Sequence, residues 1–347
     1  MNDLYNKLTI SKIKRELADV KAFYFEEPDA RQIYYEPGQY LTFVLQTATQ
    51  EIRRSYSIIS APVLGEPLAI GVKRIPNGAF SRYLIDQAQS GDQLLTIGAA
   101  GFFTLPPDID AYQQVFFLAA GSGITPVFSL LKTVLYAHPT LRAVLIYSNR
   151  SREETIFHAE LDQLAAEFPQ RLRIEYLYSN NAVLAQARLH KDLLKSFIAK
   201  LGVAPREKTL AYLCGPTEYM RMGVYGLREA DVPFENIKRE NFSTDTLVIP
   251  KIQPPDTEIH TVTVHLRKQK LEFQVQYPNT ILQAAKKHGI NLPYSCETGR
   301  CGSCVARCTA GQVWMSYNEV LTEKDLAKKL VLTCVGYPIN GDVWLEI

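Results

Sequence analysis

The stretch Cys296-Glu297-Thr298-Gly299-Arg300-Cys301-Gly302-Ser303-Cys304 decides how the C-terminal part of the chain must fold, and Cys334 stands 30 residues beyond it. The spacing C-x4-C-x2-C with a distant fourth cysteine is that of four thiolates around a [2Fe–2S] cluster. Such a loop must bring backbone N–H groups close to the bridging sulfides, and Gly299, Gly302 and Ser303 supply the small residues that allow it. A four-thiolate zinc site is the competing reading; zinc ribbons pair two C-x2-C knuckles, and only one is present here. Cys308 lies outside the pattern and reads as a small packed hydrophobe. Five of the six cysteines fall between Cys296 and Cys334. That crowding points to a metal site in a reducing compartment rather than to a disulfide scaffold.

Outward from this loop, residues 259–347 resemble a plant-type ferredoxin domain of the sort fused to oxygenase reductases. Alternation in His260 to Leu266 and in Leu271 to Val275 predicts a hairpin, and a helix is expected over Ile281 to His288. The resemblance implies a β-grasp-like fold with Cys296, Cys301, Cys304 and Cys334 as cluster ligands. This segment carries ten Lys/Arg against seven Asp/Glu, a net of about +3, whereas free plant-type ferredoxins are typically acidic. A tethered domain finds its electron donor through linker-set effective concentration and needs no long-range charge.

The whole chain has 347 residues, and a prior of ~100–150 residues per unit predicts three domains. We expect a multidomain α+β protein: a domain over 1–110, an α/β domain over 111–245, a proline-bearing linker over 246–258 and the C-terminal domain over 259–347. With 46% hydrophobic and 21% charged residues, the composition is that of a globular protein. A net charge of +2 gives no reason to expect nucleic acid or a membrane surface as partner. The first residues lack the apolar region of a signal peptide, and no stretch approaches the ~20 apolar residues of a membrane span; a cytoplasmic location is expected. The six histidines show no metal-ligand spacing, and no G-x-S-x-G elbow supports a hydrolase.

In the first domain, short β-type runs at Ala22 to Phe25, Tyr40 to Leu45, Tyr56 to Ile59 and Leu68 to Lys73, separated by Pro and Gly, predict an antiparallel β-barrel. Arg54-Ser55-Tyr56-Ser57 resembles the R-x-Y-S element of ferredoxin–NADP reductase-like proteins. Tyr56 can face an isoalloxazine ring, Ser57 can hydrogen-bond its polar edge and Arg54 can hold its phosphates. Lys73 adds a second cation. Gly78-Ala79-Phe80-Ser81 opens an expected helix ending near Gln89, whose N-terminus and Ser81 hydroxyl can bind a pyrophosphate. The resemblance implies FAD, with FMN as the alternative. Near the end of the second domain, Glu240-Asn241-Phe242 resembles the aromatic end that covers the flavin face, which assigns Phe242 to the flavin.

From Gln114 the pattern turns to apolar strand, loop and helix: VFFLAAG before a helix over Pro126 to Tyr136, AVLIYSN before a helix over Arg152 to Phe168, then RIEYLYS and TLAYLCG with further helices. This alternation predicts a parallel sheet with both faces covered. Gly121-Ser122-Gly123-Ile124-Thr125-Pro126 departs from the G-x-G-x-x-G fingerprint and matches the G-x-G-x-T-P version of reductase-type domains, assigning Gly121, Gly123, Thr125 and Pro126 to the dinucleotide. Cys214-Gly215-Pro216 follows the last apolar strand at the edge where open α/β sheets hold ligands. The resemblance implies that Cys214 positions the nicotinamide. Ser148 and Arg150 can meet a 2′-phosphate, which favours NADPH, with NADH possible.

The order flavin domain, nicotinamide domain, ferredoxin domain resembles the reductase components of bacterial multicomponent oxygenases, the phenylacetyl-CoA epoxidase system among them. It implies electron flow from NADPH through FAD and a [2Fe–2S] cluster to a partner oxygenase, with Cys214, Tyr56 and Ser57 at the hydride-transfer site. A hybrid-cluster protein or a desaturase as acceptor is the alternative within enzymes. A redox-sensing binding module is the alternative outside them.

Overall fold

The computed structural model describes residues 5–46, 51–242, 252–266 and 269–347. Three sheets follow one another along the chain. The first comprises β1 (Asn6–Leu17), β2 (Val20–Phe25), β3 (Tyr40–Gln46), β4 (Glu51–Ser57), β5 (Ala69–Lys73) and β6 (Gln93–Ala100), in spatial order β4-β3-β6-β1-β2-β5. An antiparallel bridge between Ile58 and Ile70 joins its two edge strands and closes the sheet as a barrel. Inward-facing Leu8, Ile10, Phe23, Phe25, Leu41 and Phe43 fill it, and helix α1 (Ala79–Asp86) packs Phe80 and Leu84 against the same core. The strand expected from Tyr56 to Ile59 begins earlier, at Glu51, because that segment pairs residue by residue with β3. Helix α1 stops at Asp86, short of Gln89.

The second sheet is parallel throughout: β7 (Gln114–Ala120), β8 (Arg142–Asn149), β9 (Leu172–Tyr178), β10 (Thr209–Cys214) and β11 (Ile237–Glu240), in order β11-β10-β7-β8-β9. The strand order reverses between β7 and β10, so the carboxyl ends of these neighbours border the crevice where open α/β sheets bind ligands. Helices α2 (Ile124–Ala137), α3 (His158–Glu167), α4 (Leu184–Ala187), α5 (Lys191–Leu201) and α6 (Thr217–Glu229) connect the strands. The helix expected from Arg152 begins only at His158. Phe157 takes the left-handed conformation, φ 58°, and its ring stacks on Phe128 at 4.5 Å. Tertiary packing of that ring overrides a helical pattern that the local sequence supports.

The barrel and the parallel sheet belong to one compact unit. Helix α2 joins them: every residue from Ile124 to Leu135 is buried, so the helix has no solvent face until its last two residues, Tyr136 and Ala137. Its buried residues share one core with Val115, Phe117 and Leu145 of the sheet and with Val20, Ala22, Ile59 and Ala69 of the barrel. Ser129 Oγ donates to the Ser60 carbonyl at 2.6 Å, and Lys132 pairs with Glu66 at 2.5 Å. Desolvation lowers the Lys132 pKa against the opposing pull of Glu66.

The third sheet, in the second compact unit, comprises β12 (His260–Leu266), β13 (Gln269–Val275), β14 (Val305–Met315), β15 (Leu330–Leu332) and β16 (Gly336–Glu346), in order β13-β12-β16-β14-β15. The β12–β13 hairpin is antiparallel and β12 pairs with β16 in parallel, the mixed arrangement of a β-grasp. Helix α7 (Ile281–Lys287) starts in a capping box between Thr280 and Gln283 and covers the sheet with Ile281, Leu282 and Ala285; the short α8 (Glu323–Ala327) starts the same way. The first part of the expected linker, up to residue 251, lies outside the described residues.

Leu130 is fully buried in α2 facing Gly38 of the barrel. Leu130→Ala is expected to destabilise this unit by ~2–5 kcal/mol, measured as a lower urea midpoint at unchanged slope.

Candidate functional site

The four cysteines of the C-terminal motif converge as two close pairs. Cys304 and Cys334 bring their Sγ atoms to 3.2 Å, and Cys296 hydrogen-bonds with Cys301. Two irons sharing two sulfides need this two-plus-two set of thiolates. The loop between them curls through left-handed residues Glu297 (φ 56°), Gly299 (φ 73°) and Gly302 (φ 80°). Its backbone points inward: the Thr298 N–H reaches Cys296 Sγ at 3.4 Å, the Arg300 N–H also meets Cys296, and the Gly299 N–H meets Cys334. The hydrogen bond with Cys301 and the backbone donors bring the Cys296 thiol down to about 5, while its partner Cys301 is pushed well up. Thiolates cradled by backbone donors fit a [2Fe–2S] cluster. Cys308 lies apart, buried on β14 with its thiol on the Ala310 and Gly311 carbonyls.

At the barrel, Arg54 and Tyr56 share one face of β4, opposite Phe43 and Leu41 of β3. Arg54 is exposed, and Tyr56 packs edge-on against Phe80 at 6.0 Å. Burial pushes the Tyr56 phenol well above its ordinary value, which keeps it protonated. Ser57 is buried with its Oγ unpartnered, and an orphaned hydroxyl beside an aromatic face fits the polar edge of a flavin ring. The Phe80 side chain belongs to the barrel core, so only its backbone is available to a ligand. The Ser81 hydroxyl is likewise spent inside the loop, accepting from the Ile75 N–H and donating to the Gly78 carbonyl at 3.1 Å each. What remains for an anion at Gly78 and Ala79 is the N-terminus of α1, which has no side-chain cap. Lys73 lies 3.8 Å from Asp19, and Phe242 is exposed after β11.

At the parallel sheet, the two glycine loops touch. A Cβ on Gly123 would stand 2.0 Å from the Cys214 carbonyl oxygen, and one on Gly215 would stand 2.9 Å from Ala120 Cβ. Gly121 turns through φ 54°. Thr125 and Pro126 are buried in the first turn of α2; the Thr125 hydroxyl donates to the Ser122 carbonyl, and its methyl packs against Gly71 of the barrel. These two fasten the loop from behind.

A cavity of about 390 Å³ opens at the carboxyl edge, lined by Ala120, Ser148, Asn149, Arg188, Pro216 and Tyr219 among others. Ser148 Oγ and Asn149 Nδ2 are buried there beside the Tyr219 and Tyr147 hydroxyls, a polar pair at the floor of an otherwise mostly apolar cavity. Arg150 is not among the lining residues and lies 3.7 Å from Glu154. Arg188, which the sequence motifs do not single out, lines the cavity and makes no hydrogen bond or ion pair among the described residues. Its signal is faint, a lone basic residue eight positions after an irregular turn at Asn180.

Cys214 is fully buried, and desolvation pushes its thiol well up. A thiol held neutral is a poor nucleophile. Opposite it in register stands Glu240 of β11, whose carboxyl burial raises to about 8. The sequence pattern points to Phe242 of this triplet and not to Glu240; the strand register is what brings the carboxyl beside Cys214.

These features describe a nicotinamide-dependent flavoprotein with an iron–sulfur outlet. A 2Fe-2S iron-sulfur cluster binding domain model matches residues 264–338, an oxidoreductase NAD-binding domain model matches 117–224 and an oxidoreductase FAD-binding domain model matches 7–105. The chain is 31% identical to a component of the 1,2-phenylacetyl-CoA epoxidase of Escherichia coli, covering 99% of this chain and 97% of that one. It is 32% identical to the 3-ketosteroid-9-alpha-monooxygenase, ferredoxin reductase component, of Mycolicibacterium smegmatis, covering 97% and 95%. The structure of phthalate dioxygenase reductase shares the fold, with a TM-score of 0.61 at 22% identity over 99% of this chain and 98% of that one. The chain belongs to the family of oxygenase reductase components that join FAD-binding, NAD-binding and [2Fe–2S] domains. It is an NAD(P)H-dependent oxidoreductase. No helix among the described residues is long and apolar enough to cross a membrane.

Glu240 gives a pH-dependent prediction. Its folded pKa, about 8, lies above the ordinary carboxylate value of 4.5, so the unfolded chain releases this proton first as pH rises. Stability relative to Glu240→Gln is full below about pH 4.5 and falls progressively up to about pH 8. Paired urea titrations of wild type and Glu240→Gln across that range measure the difference.

Proposed function

We propose that the protein passes electrons from NADPH through FAD and the [2Fe–2S] cluster to a partner oxygenase of the phenylacetyl-CoA epoxidase type. The observation that carries this reading is the near end-to-end match, over 99% of this chain and 97% of the relative, to a component of that epoxidase. An equally long match to a 3-ketosteroid monooxygenase component, at 32% identity, favours a second reading in which the acceptor is a different oxygenase.

In this proposal Arg54 and the uncapped N-terminus of α1 at Gly78 and Ala79 hold the flavin phosphates, with Lys73 adding positive charge. Tyr56 and Phe242 flank the ring, and Ser57 hydrogen-bonds its polar edge. The Gly121–Gly123 and Gly215–Pro216 loops leave room for the dinucleotide backbone, and Cys214 sets the nicotinamide against the flavin. Glu240 holds a proton beside that position at neutral pH. Bound FAD supplies the conversion of a two-electron hydride donor into single electrons for the cluster, which Cys296, Cys301, Cys304 and Cys334 ligate.

Preference for NADPH is supported by two polar residues in the cavity lining, Ser148 and Arg188. A guanidinium fork on a phosphate contributes ~1.5–3 kcal/mol. Arg188→Ala is expected to raise KM for NADPH by roughly 10–100-fold while leaving KM for NADH within about twofold. Equal losses with both nucleotides would remove Arg188 from phosphate recognition. Anaerobic titration with NADPH and with NADH, following flavin bleaching and the reduced-cluster EPR signal, tests the relay. Oxygenase turnover with the reconstituted epoxidase tests the acceptor; a relay that reduces its cluster yet supports no epoxidation points to the second reading.

A further inference from the structure

Arg300 is the cation placed inside the cluster loop, directly before Cys301 and four residues after Cys296. Its side chain is 9% exposed and lies 3.1 Å from the carboxylate of Glu319, itself 26% exposed. The pair sits in a tight surround. The Tyr317 hydroxyl donates to Glu319 Oε2 at 3.0 Å, the Glu319 N–H donates to the Gly299 carbonyl at 3.1 Å, and a Cβ on Gly299 would stand 3.1 Å from the Tyr317 carbonyl oxygen. Asn318 secures the other side by accepting from the Val320 and Leu321 N–H groups. The segment 317–321 therefore clasps residues 299–300, the ones whose N–H groups aim at Cys296 and Cys334.

We propose that the Arg300–Glu319 pair is a positioning and charge device that sets the reduction potential of the [2Fe–2S] cluster. The inference rests on the four cysteines being its ligands. One electron, delivered from the flavin, takes a cluster with four thiolates from a net charge of −2 to −3. A nearby guanidinium favours the more negative form and raises the potential, and the Glu319 carboxylate partly cancels that pull. Burial keeps the Arg300 charge poorly screened, and Glu319 is only partly exposed, so their effect on the cluster exceeds that of the exposed lysines elsewhere on the domain. Because the Arg300 and Glu319 charges act in opposite directions, the pair holds the potential between two extremes.

The test is an EPR-monitored redox titration of the full-length holoprotein and four variants. Glu319→Gln, nearly isosteric, removes the carboxylate charge beside the guanidinium and is expected to shift the reduced-to-oxidised ratio at fixed potential about tenfold toward reduced, 59 mV for a one-electron couple. Arg300→Gln is expected to shift it about tenfold the other way. Arg300→Lys keeps the charge and is expected to stay within about threefold of wild type, and Arg300→Gln with Glu319→Gln together is expected to return near it. If Glu319→Gln and Arg300→Gln keep the wild-type potential while losing cluster on storage, the pair is only a staple and the proposal falls. Should Arg300→Gln fail to retain a cluster, Glu319→Gln decides alone, and an unmoved potential there overturns it. A wild-type protein lacking a [2Fe–2S] EPR signal would instead overturn the ligand assignment beneath it.

Discussion

The contact between Gly123 and the Cys214 carbonyl is the constraint from which the reductase unit is built. No side chain larger than hydrogen fits where the β7–α2 loop meets the end of β10, so two strands that are neighbours only through a reversal of sheet order can present their loops to one dinucleotide. The direction of α2 follows from that loop. Helix α2 then carries Thr125 into Gly71 and Leu130 toward Gly38, and the flavin barrel is placed against the nucleotide crevice by the same helix that leaves it. Site geometry and domain packing are consequently one arrangement. A change at either glycine acts on both.

The three-sheet architecture was legible because each part announces itself differently: turn-separated short runs, apolar strands alternating with helices, and a cysteine loop. The cysteine motif was the most informative, since ligand spacing is a local property and survives without knowledge of the fold. The tight turn at Gly121 and the close backbone approaches at Gly123 and Gly215 follow the same local logic. What escaped was set by register and by long-range packing. Glu240 becomes notable only because β11 pairs with β10 so that it faces Cys214, and Arg188 only because its turn folds back over the ends of β8 and β9. Phe80 and Ser81 read as ligand-facing in a G-x-x-S element, yet the barrel claims the ring and the loop claims the hydroxyl. Phe157 defeated the helical pattern around it by stacking on Phe128.

The protein separates its polar chemistry by environment. Around Cys214 and Glu240, burial opposes ionisation and both groups hold their protons at neutral pH. At Cys296, hydrogen-bond donors win over burial and the thiolate is favoured. The first environment keeps its groups uncharged; the second suits cationic iron. The same two effects, desolvation and hydrogen bonding, decide both with opposite outcomes.

Helix α2, buried along nearly all its length, also bears on how this molecule can be cut. A fragment ending before Gln114 would strip the barrel of its cover, and a fragment beginning there would turn the barrel-facing stripe of α2, with Val127, Leu130 and Leu131 near it, toward water. Each piece would carry an apolar patch of the kind that drives self-association. The flavin and nicotinamide halves are therefore expected to melt as one cooperative block, and neither is expected to stay soluble when expressed without the other.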